Sequence, residues 1–145
     1  MTSVGTITVV ALVVLAGLIV LFMRTRSKDL IDELMNKRRA TSKLVSRADY
    51  VEGLERMSVA LALTDDTFYY ENPDFQAVFE LRTIDEIEYD DELATGRSVE
   101  HGCRALRLRS HGTTFEFILA PDVCAKWMEA LPARRADDEE RAKAV

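Results

Sequence analysis

The stretch "TITVVALVVLAGLIVLFM", from Thr6 to Met23, decides how the chain is organised, because none of its 18 residues carries a charge. As an α-helix it would be about 27 Å long, close to the roughly 30 Å of hydrocarbon in a bilayer. A helix also satisfies its own backbone hydrogen bonds inside lipid. We therefore predict an N-terminal segment over 1–23 that contains one transmembrane helix over about 4–23.

Two other interpretations of this stretch are weaker. A cleaved signal peptide has a basic start and a cleavage site of small residues. Here "MTSVGT" has no basic residue, and "LFMRTRSK" offers no such site. A buried helix of a soluble core would show an amphipathic period, and the run shows none. The pattern favours a membrane anchor.

Basic residues follow the apolar run and none precedes it. The positive-inside rule then places the N-terminus outside and the rest of the chain in the cytoplasm, at the inner or plasma membrane of the cell. The two cysteines, Cys103 and Cys124, show no metal or redox spacing, as expected in a reducing compartment. The residues assigned to topology and to headgroup contact are Arg24, Arg26, Lys28, Lys37, Arg38 and Arg39.

The net charge of −6 conceals three blocks of different charge. Residues 24–47 hold eight Lys or Arg against three Asp or Glu, a net charge of +5, and are predicted to form a basic juxtamembrane helix or linker. Residues 48–133 hold seven against eighteen, a net charge of −11, and form the predicted soluble domain. The tail 134–145 has four of each and is expected to be frayed or disordered.

The basic block also carries an apolar stripe at helical spacing, made of Leu30, Ile31, Leu34 and Met35. One interpretation is that the block only fixes topology and spaces the domain from the membrane, and this one is favoured. The other is that the stripe docks on a neighbouring helix. Leu44 and Val45 would continue the stripe in either case.

Alternation of apolar and polar residues predicts strands in the acidic block. "CRALRLRS" (103–110) and "TTFEFIL" (113–119) form the clearest hairpin, turning at His111 and Gly112. Pro121 then suits the first position of a helix. That helix places Cys124, Trp127, Met128 and Leu131 on one stripe that caps the domain. The predicted fold class is a single N-terminal transmembrane helix plus a small mainly-β domain, a partly open barrel or two orthogonal sheets, capped by a C-terminal helix.

Three segments resemble bacterial pleckstrin-homology-like (PH-like) and GRAM-like domains: "VALALTDDTFYYEN" (59–72), "FELRTIDEIEYD" (79–90) and "LRLRSHGTTFEFILAPDVCAKWMEAL" (106–131). The resemblance covers roughly 50–131, and a β-barrel with another arrangement of helices remains open. It implies a binding module without catalytic activity. Some members of this superfold bind phosphoinositides and many bind proteins, so the fold alone does not select the ligand.

Charge and spacing argue against several kinds of chemistry. A domain of net charge −11 is repelled by nucleic acid and by an anionic membrane surface. His101, Cys103, His111 and Cys124 match no zinc spacing, and neither cysteine is marked as a nucleophile. Arg107 and Arg109 are expected to pair across the hairpin with Glu116 and Thr114. We expect no enzyme activity, no cofactor and no metal site.

The predicted function is therefore that of an accessory or scaffolding subunit of a membrane protein complex. Its partners would be the lipid bilayer and another membrane protein. No Gly-x-x-x-Gly pair indicates a self-dimerising helix, and the sequence leaves the oligomeric state open. The alternative is a sensor of lipid headgroups at the membrane surface. Candidate partner contacts are Leu30 and Leu34 on the helix and an acidic rim of Asp85, Glu86, Glu88, Asp90, Asp91 and Glu92.

Overall fold

The computed structural model describes residues 2–135, 137, 141, 143 and 144, with side chains from Thr8 onward. A long helix comes first, seven strands follow, and a short helix closes the domain, which confirms the predicted fold class. The elements are α1 (Thr2–Arg39), β1 (Leu44–Glu52), β2 (Glu55–Leu63), β3 (Thr67–Glu71), β4 (Gln76–Glu80), β5 (Ile84–Asp90), β6 (Arg104–Ser110), β7 (Thr113–Leu119) and α2 (Pro121–Ala130).

The helix α1 is continuous over 38 residues, which makes it about 57 Å long. Its described apolar side chains up to Met23 are exposed, and the helix is long and apolar enough to cross a membrane. It continues without a break into the basic block and ends there at Arg39. Leu44 and Val45 then lie in β1 and not on the helical stripe, so the first strand begins ahead of the domain boundary predicted at 48.

The seven strands form one curled antiparallel sheet, a half-barrel, in the order β4-β3-β2-β1-β7-β6-β5. The predicted last hairpin is confirmed in register, with Arg107 opposite Glu116 and Arg109 opposite Thr114. Its turn residues His111 and Gly112 have φ of 50° and 76°. A two-residue turn with positive φ at both positions matches the right-handed twist of the strands.

The main core lies on the inner, concave face of the sheet and is closed by α2. Trp127 is fully buried there, beside Phe68 at 5.7 Å between ring centroids, and its Nε1–H donates a hydrogen bond to Ser46 Oγ at 2.7 Å. Cys124 and Leu131 are buried with it, as the stripe predicts. Met128 is 47% exposed, because a residue one position after Trp127 points about 100° away from a narrow contact line.

The second half of α1 covers the outer face of the sheet at β1 and β2. Ala60 and Ala62 face outward on β2, yet both are buried, and so is Ile31 of the helix. Small side chains let a helix approach a strand closely. Strand β2 is therefore apolar on both faces, because other parts of the chain cover each face.

The two edges of the sheet differ. Along β5, the backbone of Ile87 exchanges two hydrogen bonds of 2.9 Å with the backbone of Arg134, whose guanidinium also donates to the carbonyls of Leu81 and Ile84. Arg134 thus belongs to the fold, although the charge pattern assigned it to the tail. Much of the remaining tail lies outside the described residues. Along β4, no strand follows within the described chain.

Candidate binding surfaces

The basic part of α1 is fixed to the sheet by Arg38. Its Nε and Nη2 donate to the two carboxylate oxygens of Glu71 at 2.9 and 3.2 Å, and the guanidinium lies 4.3 Å from the centre of the Tyr69 ring. Hydrogen bonding to Glu71 raises the pKa of Arg38 above its usual value. The sequence assigned Arg38 to topology and headgroup contact, but its charge is held by the sheet, because β3 presents a carboxylate to this helical face.

A second contact lies nearer the N-terminus of the helix. Arg47 of β1 donates to the Asp32 carboxylate at 2.7 Å and to the Lys28 carbonyl at 3.1 Å. Ile31 lies between Lys28 and Asp32 along α1 and is fully buried. These three contacts attach the helix to the sheet over residues 28–38.

The apolar stripe of α1 is therefore turned at least in part toward the chain's own sheet. Leu34 and Met35 are half-buried, whereas Leu30 is exposed at the side of the contact. The periodicity of the sequence identifies the stripe, but it does not identify the element that covers it. Of the two candidate contacts Leu30 and Leu34, Leu30 is the one left accessible.

Most carboxylates of the acidic rim are paired with arginines of the domain. Arg107 lies at the centre, 2.7 Å from Glu88, 3.6 Å from Asp90 and 3.3 Å from Glu116. Arg104 pairs with Asp91 at 2.5 Å, and Arg109 approaches Glu86 at 3.9 Å. Among the described residues, only Asp85 and Glu92 of the six have no cationic partner, so the rim offers much less free charge than its composition suggests.

Arg107 and Glu116 also hold the long loop between β5 and β6. Arg107 donates to the Glu92 carbonyl at 3.0 Å, and the Ala94 N–H donates to Glu116 at 2.8 Å. Backbone N–H groups of Asp91 and Glu92 lower the pKa of Asp90. The cross-strand pairing of Arg107 was predictable, but the loop contacts depend on a fold that brings distant backbone to this side chain.

The cysteines and histidines form no reactive constellation among the described residues. Burial raises the pKa of both the Cys103 and the Cys124 thiol, which disfavours the thiolate that a nucleophile or metal ligand needs. Within the same part of the chain, no three His, Cys, Asp or Glu side chains are grouped to hold a metal ion.

A cleft of about 490 Å³ opens between α1 and the start of β2. Its apolar wall includes the last residues of the uncharged run, and its polar wall combines one basic and one acidic side chain with hydroxyl and amide groups. The lining residues are Phe22, Met23, Arg26, Ser27, Leu30, Met57, Ser58, Asn72, Pro73 and Asp74.

The free edge at β4 is the second surface open to a ligand. The Asn72 N–H donates to the Phe75 carbonyl, which fixes the hydrogen-bonding pairs of this hairpin. Since such pairs alternate in an antiparallel ladder, the backbone groups of Gln76 and Val78 point away from β3. The Val78 side chain is 49% exposed. The edge therefore presents backbone donors and acceptors that no described residue pairs with, beside an apolar side chain.

Comparison with known proteins assigns no family. No family model, no curated protein and no solved structure matches this chain. The cleft and the β4 edge are therefore identified as candidate binding surfaces from the geometry of the structure alone.

Proposed function

We propose that this chain is a single-pass membrane protein whose PH-like domain is held on the cytoplasmic face, where it binds another membrane protein as a non-catalytic accessory subunit. The observation that carries this proposal is the docking of α1 on the sheet through Arg38, Ile31 and Arg47. An anchor that only tethered the domain would need no such contacts. The resemblance of 50–131 to PH-like domains supports a binding role.

Rigid docking has a direct consequence for binding. A tether in the same membrane raises the effective concentration of the domain for a neighbouring protein. A fixed orientation also reduces the rotational freedom that is lost when the two proteins meet. Both effects favour a partner that shares the bilayer.

The β4 edge is the surface that we assign to this partner. Addition of an extended strand to a free sheet edge is a common mode of recognition, in which backbone hydrogen bonds supply affinity. At the opposite edge, the backbone of Arg134 already pairs with Ile87 at the centre of β5. An incoming strand would pair with the outward groups of Gln76 and Val78 and place an apolar side chain over Val78.

Photocrosslinking in the membranes of the native host tests the proposal. A crosslinking residue at Val78 is compared with one at Met128, which is equally exposed but lies on α2. We expect a discrete product with another membrane protein from Val78 and none from Met128. Equal labelling at both positions, a product that contains only this chain, or a detergent-extracted protein that runs as a monomer without a reproducible partner would contradict the proposal.

A second candidate function, the sensing of lipid headgroups, is favoured by one feature only. The cleft beside α1 combines apolar and charged groups where the uncharged run ends. The cleft uses residues of the helix, so the net charge of −11 in residues 48–133 does not exclude it.

A further inference from the structure

The cleft between α1 and β2 lies at a defined height along the helix. Phe22 and Met23 are the last two residues of the uncharged run, and Arg26 follows about 4.5 Å further along the axis. If α1 spans a bilayer, as the proposed function requires, the cleft extends from the edge of the hydrocarbon into the headgroup layer. Phe22 and Met23 are each 65% exposed, so the sheet does not seal this end of the cleft.

The positive charge in the cleft is unpaired. No described side chain forms an ion pair or a hydrogen bond with Arg26, whereas Arg38 and Arg47 of the same region are engaged by Glu71 and Asp32. A guanidinium at the level of the headgroups is a donor for phosphate oxygens.

The opposite wall supplies a negative charge and a further donor. The Asn72 Oδ1 accepts the backbone N–H groups of Asp74 and Phe75 at 2.8 and 3.0 Å, which orients the amide and leaves its NH₂ group available. The Asp74 carboxylate has no cationic partner among the described residues, and it lies too far from Arg26 for an ion pair. The cleft therefore holds two separated, unlike charges.

This pattern matches one class of lipid. A phosphate would bind Arg26, and a positively charged group that donates hydrogen bonds would bind Asp74. A purely anionic headgroup would face the Asp74 carboxylate with like charge, and a quaternary ammonium favours an aromatic cage, which the lining residues lack. Acyl chains would lie along Phe22 and Met23. A volume of about 490 Å³ falls within the usual range of ligand pockets, about 300–1,000 Å³.

We infer that this cleft binds one phospholipid with a primary ammonium headgroup, such as a phosphatidylethanolamine, through Arg26 and Asp74. The inference rests on the part of the proposed function that places α1 across a bilayer. It assigns the lipid a place between helix and sheet, where it would complete the contact that the protein leaves open.

Native mass spectrometry of the full chain, purified in mild detergent and titrated with single lipids, tests the inference. Phosphatidylethanolamine, phosphatidylcholine and phosphatidylglycerol are compared at equal concentration. The wild-type chain should retain one phosphatidylethanolamine, and Arg26→Gln should weaken this retention about tenfold, or about 1.4 kcal/mol. Arg97→Gln removes the same charge from an exposed side chain outside the cleft and should leave retention unchanged.

Asp74→Asn gives a second, independent readout. It should lower the retention of phosphatidylethanolamine and remove the preference over phosphatidylglycerol, because the like charge is gone. Trp127 emission, which reports the core far from these residues, should be the same in every variant.

Equal retention of the three lipids by the wild-type chain, or equal effects of Arg97→Gln and Arg26→Gln, would overturn the inference. Such a result would leave the proposed function standing if the chain still resists alkaline extraction from membranes. A chain that is released by alkaline carbonate would refute both.

Discussion

Replacing Arg38 with alanine tests how firmly the anchor helix is joined to the sheet. The substitution leaves the Glu71 carboxylate, only 6% exposed, without its bidentate partner. Removing one member of a buried ion pair costs about 3–5 kcal/mol. The Arg38 side chain is 21% exposed, so water recovers part of this cost, while loss of the contact with Tyr69 adds about 0.5–1 kcal/mol. We expect the free energy of unfolding to fall by about 2–4 kcal/mol.

The assay is urea unfolding of the full chain in mild detergent, followed by fluorescence. Trp127 is the only tryptophan and is fully buried, so its emission reports the unfolding of the β domain. Arg39→Ala is the matched control, because Arg39 is exposed and forms no ion pair among the described residues. It should change the free energy of unfolding by less than about 0.5 kcal/mol.

A double variant separates the ion pair from general damage to the helix. Glu71→Gln replaces the carboxylate that has lost its partner with a neutral amide, which is less costly to bury. Added to Arg38→Ala, it should restore about 1 kcal/mol or more. The reasoning is refuted if Arg38→Ala behaves like Arg39→Ala, or if Glu71→Gln makes the Arg38→Ala variant still less stable.

Three further outcomes follow from the same contacts and the same urea assay. Ser46→Ala leaves the Trp127 Nε1–H without its acceptor inside the core and should cost about 1–3 kcal/mol. Ile31→Ala should cost about 2–4 kcal/mol through the cavity it leaves, whereas Leu30→Ala at the exposed neighbouring position should cost less than about 1 kcal/mol. Burial raises the pKa of the Tyr70 hydroxyl to about 12, against about 10 in an unfolded chain. The stability that the neutral hydroxyl contributes is therefore present below pH 10 and is lost as the pH rises toward 12. Tyr70→Phe should flatten this alkaline loss of stability.

The last hairpin and the buried face of α2 can be predicted from sequence patterns, because their contacts are local or periodic. Alternation from Cys103 to Leu119, with a two-residue turn, is enough to specify a hairpin and its register. Spacing on α2 identified Cys124, Trp127 and Leu131 as its buried face, and it failed at Met128 because spacing does not reveal how narrow a contact is.

The outer contacts could not be predicted, because they depend on which distant element covers a given face. The pattern of Leu30, Ile31, Leu34 and Met35 shows an apolar stripe but not its partner. The second apolar face of β2, at Ala60 and Ala62, was the one signal that something covers the sheet from outside. Charge counts similarly missed that arginines neutralise most of the acidic rim, since pairing depends on register and not on composition.

Cysteine accessibility in right-side-out membrane vesicles is the most direct test of the central claim, that α1 spans the membrane and holds the β domain in the cytoplasm. In a chain with Cys103→Ser and Cys124→Ser, a membrane-impermeant maleimide is applied to Ser3→Cys or to Thr95→Cys, which lies in the exposed loop after β5. We predict that Ser3→Cys is labelled in sealed vesicles and that Thr95→Cys is labelled only after they are opened. Labelling of Thr95→Cys in sealed vesicles would contradict the account.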